Sequence, residues 1–529
     1  MTISPVQSYH DGTKHHFHRF ARSLGYLDWA SQPNPFRSFS GAPLFDLPPD
    51  PAAPEVTLPV GPILRYALGL TAWKAFGSAR WSLRANPSSG NLHPTEAYVV
   101  AGPAPGLAVT AGVYHYRPDH HALEQRCAID AVVPPDTLLV ALTSIHWREA
   151  WKYGERAFRY CQHDIGHAIA AVRLAASLAG WHARLLPDWS DDAIAAVTGI
   201  DREQDFVDAE REEPACMLLV SRPPGAIVSQ DALVDAVRRG RWAGTASRLS
   251  EEHVQWTFID EVAVATRLPT SRARVTVDHP TIHPATSAAH GAHPVAPIYP
   301  PGLLLQRRSA VALDGRSSMA SDRFLELLSR TMPDASAPWG TLWWSPRIHL
   351  ALFVHRVDGL APGLYLLTRS EGSGERLKAA LGREFLNESV TGALPLTRLS
   401  RGDCRAIAQR VSCDQDIAAD GFFSLGMIAD FDASLAEFGP SFYRRLFWES
   451  GFVGQLLYLE AEAAGARGTG IGCFYDDPVH DVLGLTGHAF QSLYHFTVGA
   501  PVEDARLTSE PGYEWERRLT QAAEDSALG

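Results

Sequence analysis

The sequence contains little cysteine, no surplus of basic residues and no long apolar run. Its 529 residues include six cysteines, at positions 127, 161, 216, 404, 413 and 473, and no two form a Cys-x-x-Cys pair. This pattern argues against a disulfide framework or a thiolate zinc site and is typical of the reducing cytoplasm. The 47 basic and 59 acidic residues give a net charge of −12, which argues against a nucleic-acid binder. We expect no membrane span and no signal peptide, because no apolar run approaches about 18 residues and the N-terminus is polar.

The composition is that of a globular protein large enough for several domains. Hydrophobic residues make up 46% and charged residues 20% of the chain, so it can bury a large core. At roughly 100–200 residues per domain, the length predicts two to four domains. Residues 47–61 and 279–301 are rich in proline, and the second segment also carries four histidines, so it predicts an interdomain linker. We expect a first domain over residues 1–240, a helical connector and linker over 241–300, and a second domain over 301–529.

The two halves of the chain carry an internal repeat. When residues 159–200 are shifted by 285 positions onto residues 444–485, 10 of the 42 positions are identical without a gap. In both copies a helix that is apolar nearly all round, over about 163–179 and about 449–464, ends at a glycine suited to a left-handed C-cap. A short strand or loop follows, and then an Asp-Asp pair opens a short helix. Chance similarity of two alanine-rich helices would not explain the shared residues beyond the helix. We therefore expect a dimer fused into one chain, with a pseudo-two-fold axis between its halves.

Two polar motifs are suited to holding a polar or phosphorylated ligand. The segment from Asn86 to Pro94 is rich in small polar residues, which let backbone approach a ligand closely, although the segment could equally be a capped turn. Its candidate contacts are Pro87, Ser88, Ser89 and Asn91. Arg307, Arg308 and Ser309 can grip a phosphate through guanidinium groups and a hydroxyl, although basic pairs are also common on surfaces.

Two further motifs point to a flat ring and to proton transfer. The glycine-rich segment after the second long helix, which includes Gly470, Ile471, Gly472 and Cys473, matches neither a P-loop nor a dinucleotide fingerprint. Its glycines would let backbone N–H groups lie against a ring system, and a plain turn is the alternative. We interpret Cys473 as a packed small residue. Lys152 beside Tyr153 can form a proton-transfer pair, and a solvated lysine at the start of an amphipathic helix is the alternative.

Taken together, these segments resemble the flavin-dependent nitroreductase superfamily. The first half is more similar to the SagB-type azoline (thiazoline/oxazoline) dehydrogenases, through Tyr9-His10, the Pro87 segment, Gly112-Val113-Tyr114 and Lys152-Tyr153-Gly154 in that order. The resemblance implies an α+β nitroreductase-like fold in two tandem copies that form an intrachain pseudo-dimer, with FMN at the interface. It also implies that the Arg-Arg-Ser motif and a late arginine, Arg506, hold the phosphate. The glycine-rich segment would then lie at the flavin N5 edge, and the Pro-Ser-Ser segment would cover the ring.

The two halves have lost complementary parts of this pattern. The first half has Pro187, which offers no N–H, and Asp188 where the second half has its glycines. The second half has Glu437-Phe438 where Lys152-Tyr153 would repeat, and the indoles of Trp339, Trp343 and Trp344 could fill a vacated pocket or simply pack in the core. We therefore expect one working interface site, one decayed site and one FMN per chain.

The resemblance leads us to expect an FMN-dependent oxidoreductase. We expect a SagB-like dehydrogenase of a peptide-derived or small heterocyclic substrate, with Lys152 and Tyr153 taking the substrate proton. An NAD(P)H-dependent nitro- or quinone reductase is one alternative, and a non-catalytic binding protein with the same fold is another. We expect a small-molecule or modified-peptide partner, no nucleic acid and no membrane, and a pseudo-dimer within one chain, and the sequence leaves open whether two such chains pair. We expect no metal, because His10, His15, His16 and His18 lack a regular ligand spacing.

Overall fold

Two antiparallel sheets and two long central helices form most of the molecule. The computed structural model describes residues 4–48, 58–103, 111–130, 133–222, 225–269, 298–333 and 338–518. The α-helices are α1 Pro5–Gly12, α2 Val60–Ala67, α3 His146–Tyr153, α4 Ala157–Leu178, α5 Asp191–Thr198, α6 Gln230–Arg239, α7 Thr257–Ala265, α8 Pro301–Gln306, α9 Ser321–Arg330, α10 Glu371–Ala380, α11 Arg405–Val411, α12 Ile417–Asp420, α13 Phe431–Phe438, α14 Phe442–Ala463 and α15 Asp476–Leu483.

The strands are mostly short, as in other α+β folds. They are β1 Phe39–Ser40, β2 Leu44–Asp46, β3 Leu70–Phe76, β4 Ala79–Arg84, β5 Thr95–Ala101, β6 Ala111–Arg117, β7 Ala122–Ile129, β8 Thr137–Ser144, β9 His182–Leu185, β10 Glu213–Ser221, β11 Arg241–Trp242, β12 Thr245–Ala246, β13 Met319–Ala320, β14 Ile348–Val354, β15 Val357–Asp358, β16 Gly363–Leu367, β17 Glu388–Ser389, β18 Leu396–Arg401, β19 Phe423–Asp430, β20 Arg467–Ile471, β21 Phe490–Gly499 and β22 Thr508–Pro511.

The two large sheets have the same arrangement of strands. The order in the first half is β11-β7-β6-β5-β8-β10-β9, with β2 also paired to β7, and the order in the second half is β17-β18-β16-β14-β19-β21-β20. The central strands β5, β8 and β10 are buried along almost their whole length, as are β14, β19 and β21. The apolar runs of the sequence at 97–100, 217–220 and 349–354 fall within β5, β10 and β14.

The helices repeat at the spacing that the sequence predicts. Helices α3, α4 and α5 begin and end 285 residues before α13, α14 and α15. Gly180 and Gly465 follow the long helices in left-handed conformation, with φ of 73° and 71°, so both act as the predicted C-caps. The long helices begin at Ala157 and Phe442, six or seven residues earlier than the apolar pattern suggests. The extra first turns carry buried arginines and tyrosines that an apolar count misses.

The two halves are intertwined as well as packed together. Helices α4 and α14 lie against each other in one hydrophobic core that includes residues of both halves. The N-terminal arm reaches onto the second half, where His10 Nε2 lies 2.9 Å from Gln491 Oε1. The C-terminal strand β22 crosses in the other direction and pairs with β3. Each half therefore completes the other, as in an exchanged dimer.

The predicted linker and domain boundaries lie in regions that the structure describes only in part. Residues 279–297 of the expected linker and residues 49–57 of the first proline-rich segment lie outside the described residues. Strands β11 and β12 pair with β7 and β1 of the first half, and the domain boundaries at 240 and 300 stay a prediction. In the described part of the chain, no helix is long and apolar enough to cross a membrane.

Candidate functional site

A cavity of about 450 Å³ lies where the two halves meet. This volume is within the range of roughly 300–1,000 Å³ that is usual for small-molecule and cofactor sites. The first half supplies β3, β4, the loop at 86–93 and one face of α4, and the second half supplies residues 307–311, β20 and the segment 501–507. The predicted site residues on its wall are Pro87, Ser88, Ser89, Asn91, Tyr153, Arg307, Arg308, Ser309, Gly470, Ile471, Gly472 and Cys473.

The loop at 86–93 is held in an unusual backbone conformation by its own polar side chains. Gly90, Asn91 and His93 have positive φ of 58°, 60° and 53°, a conformation that L side chains rarely adopt. Ser88 Oγ accepts a hydrogen bond from His93 N at 2.8 Å, and Asn91 Nδ2 donates to Ser82 O at 2.9 Å. These bonds offset the strain and leave the loop backbone on the cavity wall.

An aspartate on α4 anchors the same loop. Asp164 Oδ1 accepts hydrogen bonds from Ser89 N and Ser89 Oγ, both at 3.1 Å. Burial raises the pKa of Asp164 to about 7, although hydrogen bonds from Ser88 and Ser89 partly offset this increase. Asp164 therefore changes its protonation state near neutral pH, which is the range in which a group can give or take a proton efficiently.

The Arg-Arg-Ser motif reaches across to the first half. Arg307 is buried, and its Nε and Nη2 donate to Ala85 O and Arg84 O at 3.0 and 3.1 Å. Its Nη1 is buried without a hydrogen-bond partner among the described residues. Arg308 Nη1 donates to Thr71 Oγ1 at 3.1 Å, and Ser309 Oγ donates to Tyr458 Oη at 3.0 Å.

The glycine-rich segment forms strand β20 and the turn after it. Gly470 N donates to Tyr458 Oη at 2.8 Å. A Cβ at Gly470 would collide with Tyr494 Oη, and one at Gly472 would collide with the ring of Tyr160. The glycines are required because this strand lies directly on aromatic side chains of both halves.

Lys152 and Tyr153 meet at Gly90. A Cβ at Gly90 would lie 2.6 Å from Tyr153 Oη and 3.3 Å from Lys152 Nζ, so both side-chain ends contact this turn. Tyr153 lines the cavity, whereas Lys152 is not among the described residues of its wall. Burial, together with the nearby Glu149, raises the pKa of Tyr153 well above its usual range, so its hydroxyl keeps its proton at neutral pH.

The structure does not bring Arg506 to the cavity. Its side chain is 74% exposed, and its Nη2 pairs with Asp504 Oδ2 at 2.7 Å. The guanidinium lies over the ring of Phe76, 5.3 Å from the ring centroid. The nearby Asp504 holds this arginine on the surface, although Asp504 itself lies on the cavity wall.

The cavity wall carries several cations and unpartnered polar atoms. Its wall carries the positive side chains of Lys74, Arg84, Arg307, Arg308 and Arg467. Arg84 Nε and Asn86 Oδ1 are buried without a hydrogen-bond partner among the described residues, as is Arg307 Nη1. Because buried polar atoms in folded proteins are almost always paired, Arg84 Nε and Arg307 Nη1 fit an anionic ligand, and Asn86 Oδ1 fits a donor group on the same ligand.

Several residues on α4, β3, α14 and β21 line the cavity although the sequence did not predict them. Tyr160, Asp164 and His167 line the cavity and lie three or four residues apart, on one face of an otherwise apolar helix. Their polar stripe is the signal that could have identified them. Lys74, Tyr458 and Tyr494 also line the cavity, but they come from separate elements and share no local pattern.

The position related by the repeat holds almost no space. The void beside Leu185, Leu186, Trp343 and Arg445 measures about 10 Å³, which is at most the room for one water molecule. Glu449, which stands 285 positions after Asp164, accepts hydrogen bonds from Arg369 Nη1 at 2.6 Å and from Trp344 Nε1 at 3.0 Å. In the described residues no arginine forms an ion pair with Asp164. The two interface positions have therefore diverged, and the large cavity is at one of them.

One solved structure superposes on nearly the whole chain. No protein-family model matches the chain. The crystal structure of a proposed nitroreductase from Anabaena variabilis superposes with a TM-score of 0.69 at 22% identity, over 95% of this chain and 100% of that one. One from Ralstonia eutropha matches 38% of this chain and 83% of its own, with a TM-score of 0.27 at 15% identity.

Among curated proteins, the trifolitoxin-processing protein TfxB of Rhizobium leguminosarum bv. trifolii is 33% identical over 141 residues, which is 22% of this chain. The chain spans about a third, 36%, of that relative's length. The superposition over nearly the whole chain shows the fold: the chain has an α+β nitroreductase-like fold in two tandem copies that form a pseudo-dimer.

Proposed function

We propose that this chain is an FMN-dependent oxidoreductase with a single site between its two halves. One observation carries the proposal. The Pro-Ser-Ser loop of one half and the Arg-Arg-Ser motif and glycine strand of the other converge on one cavity of about 450 Å³. The void at the related interface position measures only about 10 Å³. An interface between the halves is where the family resemblance expects the cofactor.

The residues on the wall fit this cofactor. Arg307 and Arg308, together with Lys74, would hold the phosphate, because they form the cationic part of the wall and Arg307 Nη1 lacks a partner. Ser88 and Ser89 would lie over one face of the ring, and the backbone at 470–473 would face its edge. When bound, FMN supplies a two-electron acceptor or donor, and the protein supplies position and electrostatics.

Three residues on or beside the wall could move the proton that accompanies the electrons. We assign the substrate proton to Lys152 and Tyr153, whose side-chain ends both contact Gly90. Since the hydroxyl of Tyr153 is protonated at neutral pH, it can only pass on a proton while receiving one. Asp164, with a pKa of about 7, is the wall residue able to accept that proton at physiological pH.

We infer a substrate derived from a peptide, or a small heterocycle, oxidised in the manner of the SagB-type dehydrogenases. The support is the order of motifs in the first half and the partial similarity to a protein that processes trifolitoxin. An NAD(P)H-dependent nitro- or quinone reductase is the alternative activity, and a non-catalytic binding protein is the alternative class.

Two measurements on the purified protein test the proposal. A flavin absorbance band that stays with the protein through gel filtration is expected, and a colourless protein that does not take up added FMN would support the binding-protein alternative. Under anaerobic conditions, the holoenzyme should lose its flavin absorbance with an azoline-containing peptide and not with NADPH. Rapid bleaching by NADPH alone would favour the reductase.

A further inference from the structure

Two cysteines that lie far apart in the sequence meet at the edge of the cavity. Cys413 follows α11 and Cys473 follows β20, and their Sγ atoms are 2.8 Å apart across a separation of 60 residues. Both are half-buried, whereas the other four cysteines are buried and unpaired. Cys473 is part of the cavity wall. The fold therefore brings two accessible thiols together beside the proposed site.

The surroundings give the two sulfur atoms different roles. His15 Nδ1 lies 3.7 Å from Cys473 Sγ, a neighbour that the sequence did not predict. The hydrogen bond from Cys413 lowers the pKa of the Cys473 thiol, and the same contact raises the pKa of Cys413. The Arg156 guanidinium, whose Nη2 donates to Gly472 O at 3.2 Å, also favours the Cys473 thiolate. The neighbouring His15 and Arg156 thus favour the thiolate at Cys473 rather than at Cys413.

The loop that carries Cys413 is fixed in place. Cys413 and Asp414 have positive φ of 56° and 57°, and Gln415 Nε2 donates to Cys473 O at 2.9 Å. The two chain segments are therefore held together by a hydrogen bond as well as by the sulfur contact. Such a fixed arrangement favours bond formation within the protein over reaction of each thiol alone.

A metal ion would require a different arrangement of the same residues. His15, Cys413 and Cys473 offer ligand atoms within 4.8 Å of one another. Two thiolates bound to a tetrahedral zinc ion at about 2.3 Å would lie about 3.8 Å apart. The observed 2.8 Å between the sulfurs is much shorter, so the geometry favours sulfur–sulfur chemistry.

We propose that Cys413 and Cys473 are a redox-active dithiol that a small disulfide, such as glutathione disulfide, oxidises to an intramolecular disulfide. The Cys473 thiolate attacks one sulfur of the small disulfide and releases one thiolate, which leaves a mixed disulfide. Cys413 then attacks the sulfur of Cys473, gives up its proton and releases the second small thiol. Counted from the dithiol, the protein loses two electrons and two protons, and the small disulfide gains them as it becomes two thiols. The resulting bridge links the wall of the cavity to the loop after α11, and it forms with or without a bound flavin.

Peptide mass mapping tests this proposal on the full chain. The reduced protein is incubated with glutathione disulfide, its remaining thiols are blocked with N-ethylmaleimide, and the peptides are identified. We expect one cross-linked peptide pair containing Cys413 and Cys473, with two hydrogen atoms fewer than the reduced pair. If both cysteines instead carry the blocking group, or each carries glutathione, the proposal is wrong.

Matched variants separate the two roles. Cys413→Ser should trap glutathione on Cys473, whereas Cys473→Ser should leave Cys413 free for the blocking reagent. Cys404→Ala is the control, because Cys404 also lies near a histidine, with His355 Nδ1 at 3.6 Å, but is buried and has no second thiol. It should behave like the wild-type protein. Tightly bound zinc that is lost in Cys473→Ser, with no cross-link in the wild type, would identify the cluster as a metal site and overturn the proposal.

Discussion

Gly166 and Gly451 face each other where the two central helices cross. They are related by the 285-residue repeat, and a Cβ placed on Gly451 would lie 3.0 Å from Gly166 Cα. That Cβ would also collide with the carbonyl oxygen of His163, just as one on Gly166 would collide with the carbonyl oxygen of Trp448. The contact is therefore made by backbone on backbone, and it holds the two halves at the distance that shapes the cavity.

Replacing Gly451 with alanine should destabilise the protein. The neighbouring atoms are helix backbone and cannot move aside, so we expect a loss of about 1–3 kcal/mol in the free energy of unfolding. Denaturant unfolding followed by circular dichroism measures it. The control is Gly372→Ala in α10, where an added Cβ would lie 3.9 Å from the flexible end of Arg376. That substitution should raise stability by up to about 1 kcal/mol, because alanine is the better helix former. Equal effects of the two substitutions would contradict the close crossing.

Removing the charge of Asp476 should destabilise the protein more than the substitution at Gly451. Its carboxylate pairs with Arg159 at 2.7 Å and Arg156 at 2.8 Å, and the repeat places Arg444 on Asp191 in the same way, at 2.7 Å. Asp476→Asn leaves two buried guanidinium groups without their partner charge, so we expect a loss of about 3–5 kcal/mol. Asp504→Asn, at an exposed pair with Arg506, should change stability little.

The same carboxylate predicts a dependence of stability on pH. Despite its burial, the two arginines hold the pKa of Asp476 far below its usual value. A carboxyl whose folded pKa is lowered stabilises the fold above its unfolded pKa, about 3.9, and this contribution is lost as the pH falls below that value. The unfolding free energy of the wild-type protein should therefore decrease more steeply below about pH 4 than that of Asp476→Asn. Parallel curves would show that this ion pair does not carry the effect.

Much of the fold could be predicted from the sequence, because local patterns mark the helices and both copies of the repeat carry the same patterns. The C-cap glycines at 180 and 465 and the Asp-Asp helix starts lie where the alignment predicts them. The contacts within the site were harder to predict from the sequence. The position of Arg506 depends on a competing charge at Asp504, and the meeting of His15, Cys413 and Cys473 depends on the path of three separate segments. No local pattern encodes such contacts.

The proposed phosphate site predicts that substitutions of Arg307 and Arg506 affect FMN affinity differently. Arg307→Gln removes the charged, unpartnered Nη1 from the wall, so we expect FMN affinity to fall about 10- to 100-fold. Arg506→Gln should leave affinity unchanged, because its guanidinium is exposed and paired with Asp504. Fluorescence titration of the apoprotein with FMN measures both. If Arg506→Gln weakened FMN binding more than Arg307→Gln, the phosphate would bind at the C-terminal segment instead.

The proton-transfer pair can be separated from cofactor binding. The double variant Lys152→Ala with Tyr153→Phe should keep its flavin and lose substrate oxidation by at least about 100-fold, which is the usual contribution of a positioned proton-transfer group. Glu437→Ala is the matched control, because Glu437 stands at the repeat position of Lys152 but pairs with Arg347, away from the cavity wall. It should oxidise substrate at the wild-type rate. Unchanged turnover in the double variant would remove both residues from the mechanism.

The central claim is that one of two related interface positions forms the site and the other is closed. Its most direct test is the amount of FMN bound per chain, measured by flavin absorbance against protein concentration after saturation of the apoprotein and gel filtration. The account predicts one equivalent, because the cavity measures about 450 Å³ at one position and about 10 Å³ at the other. Two equivalents bound with comparable affinity, or none, would contradict it.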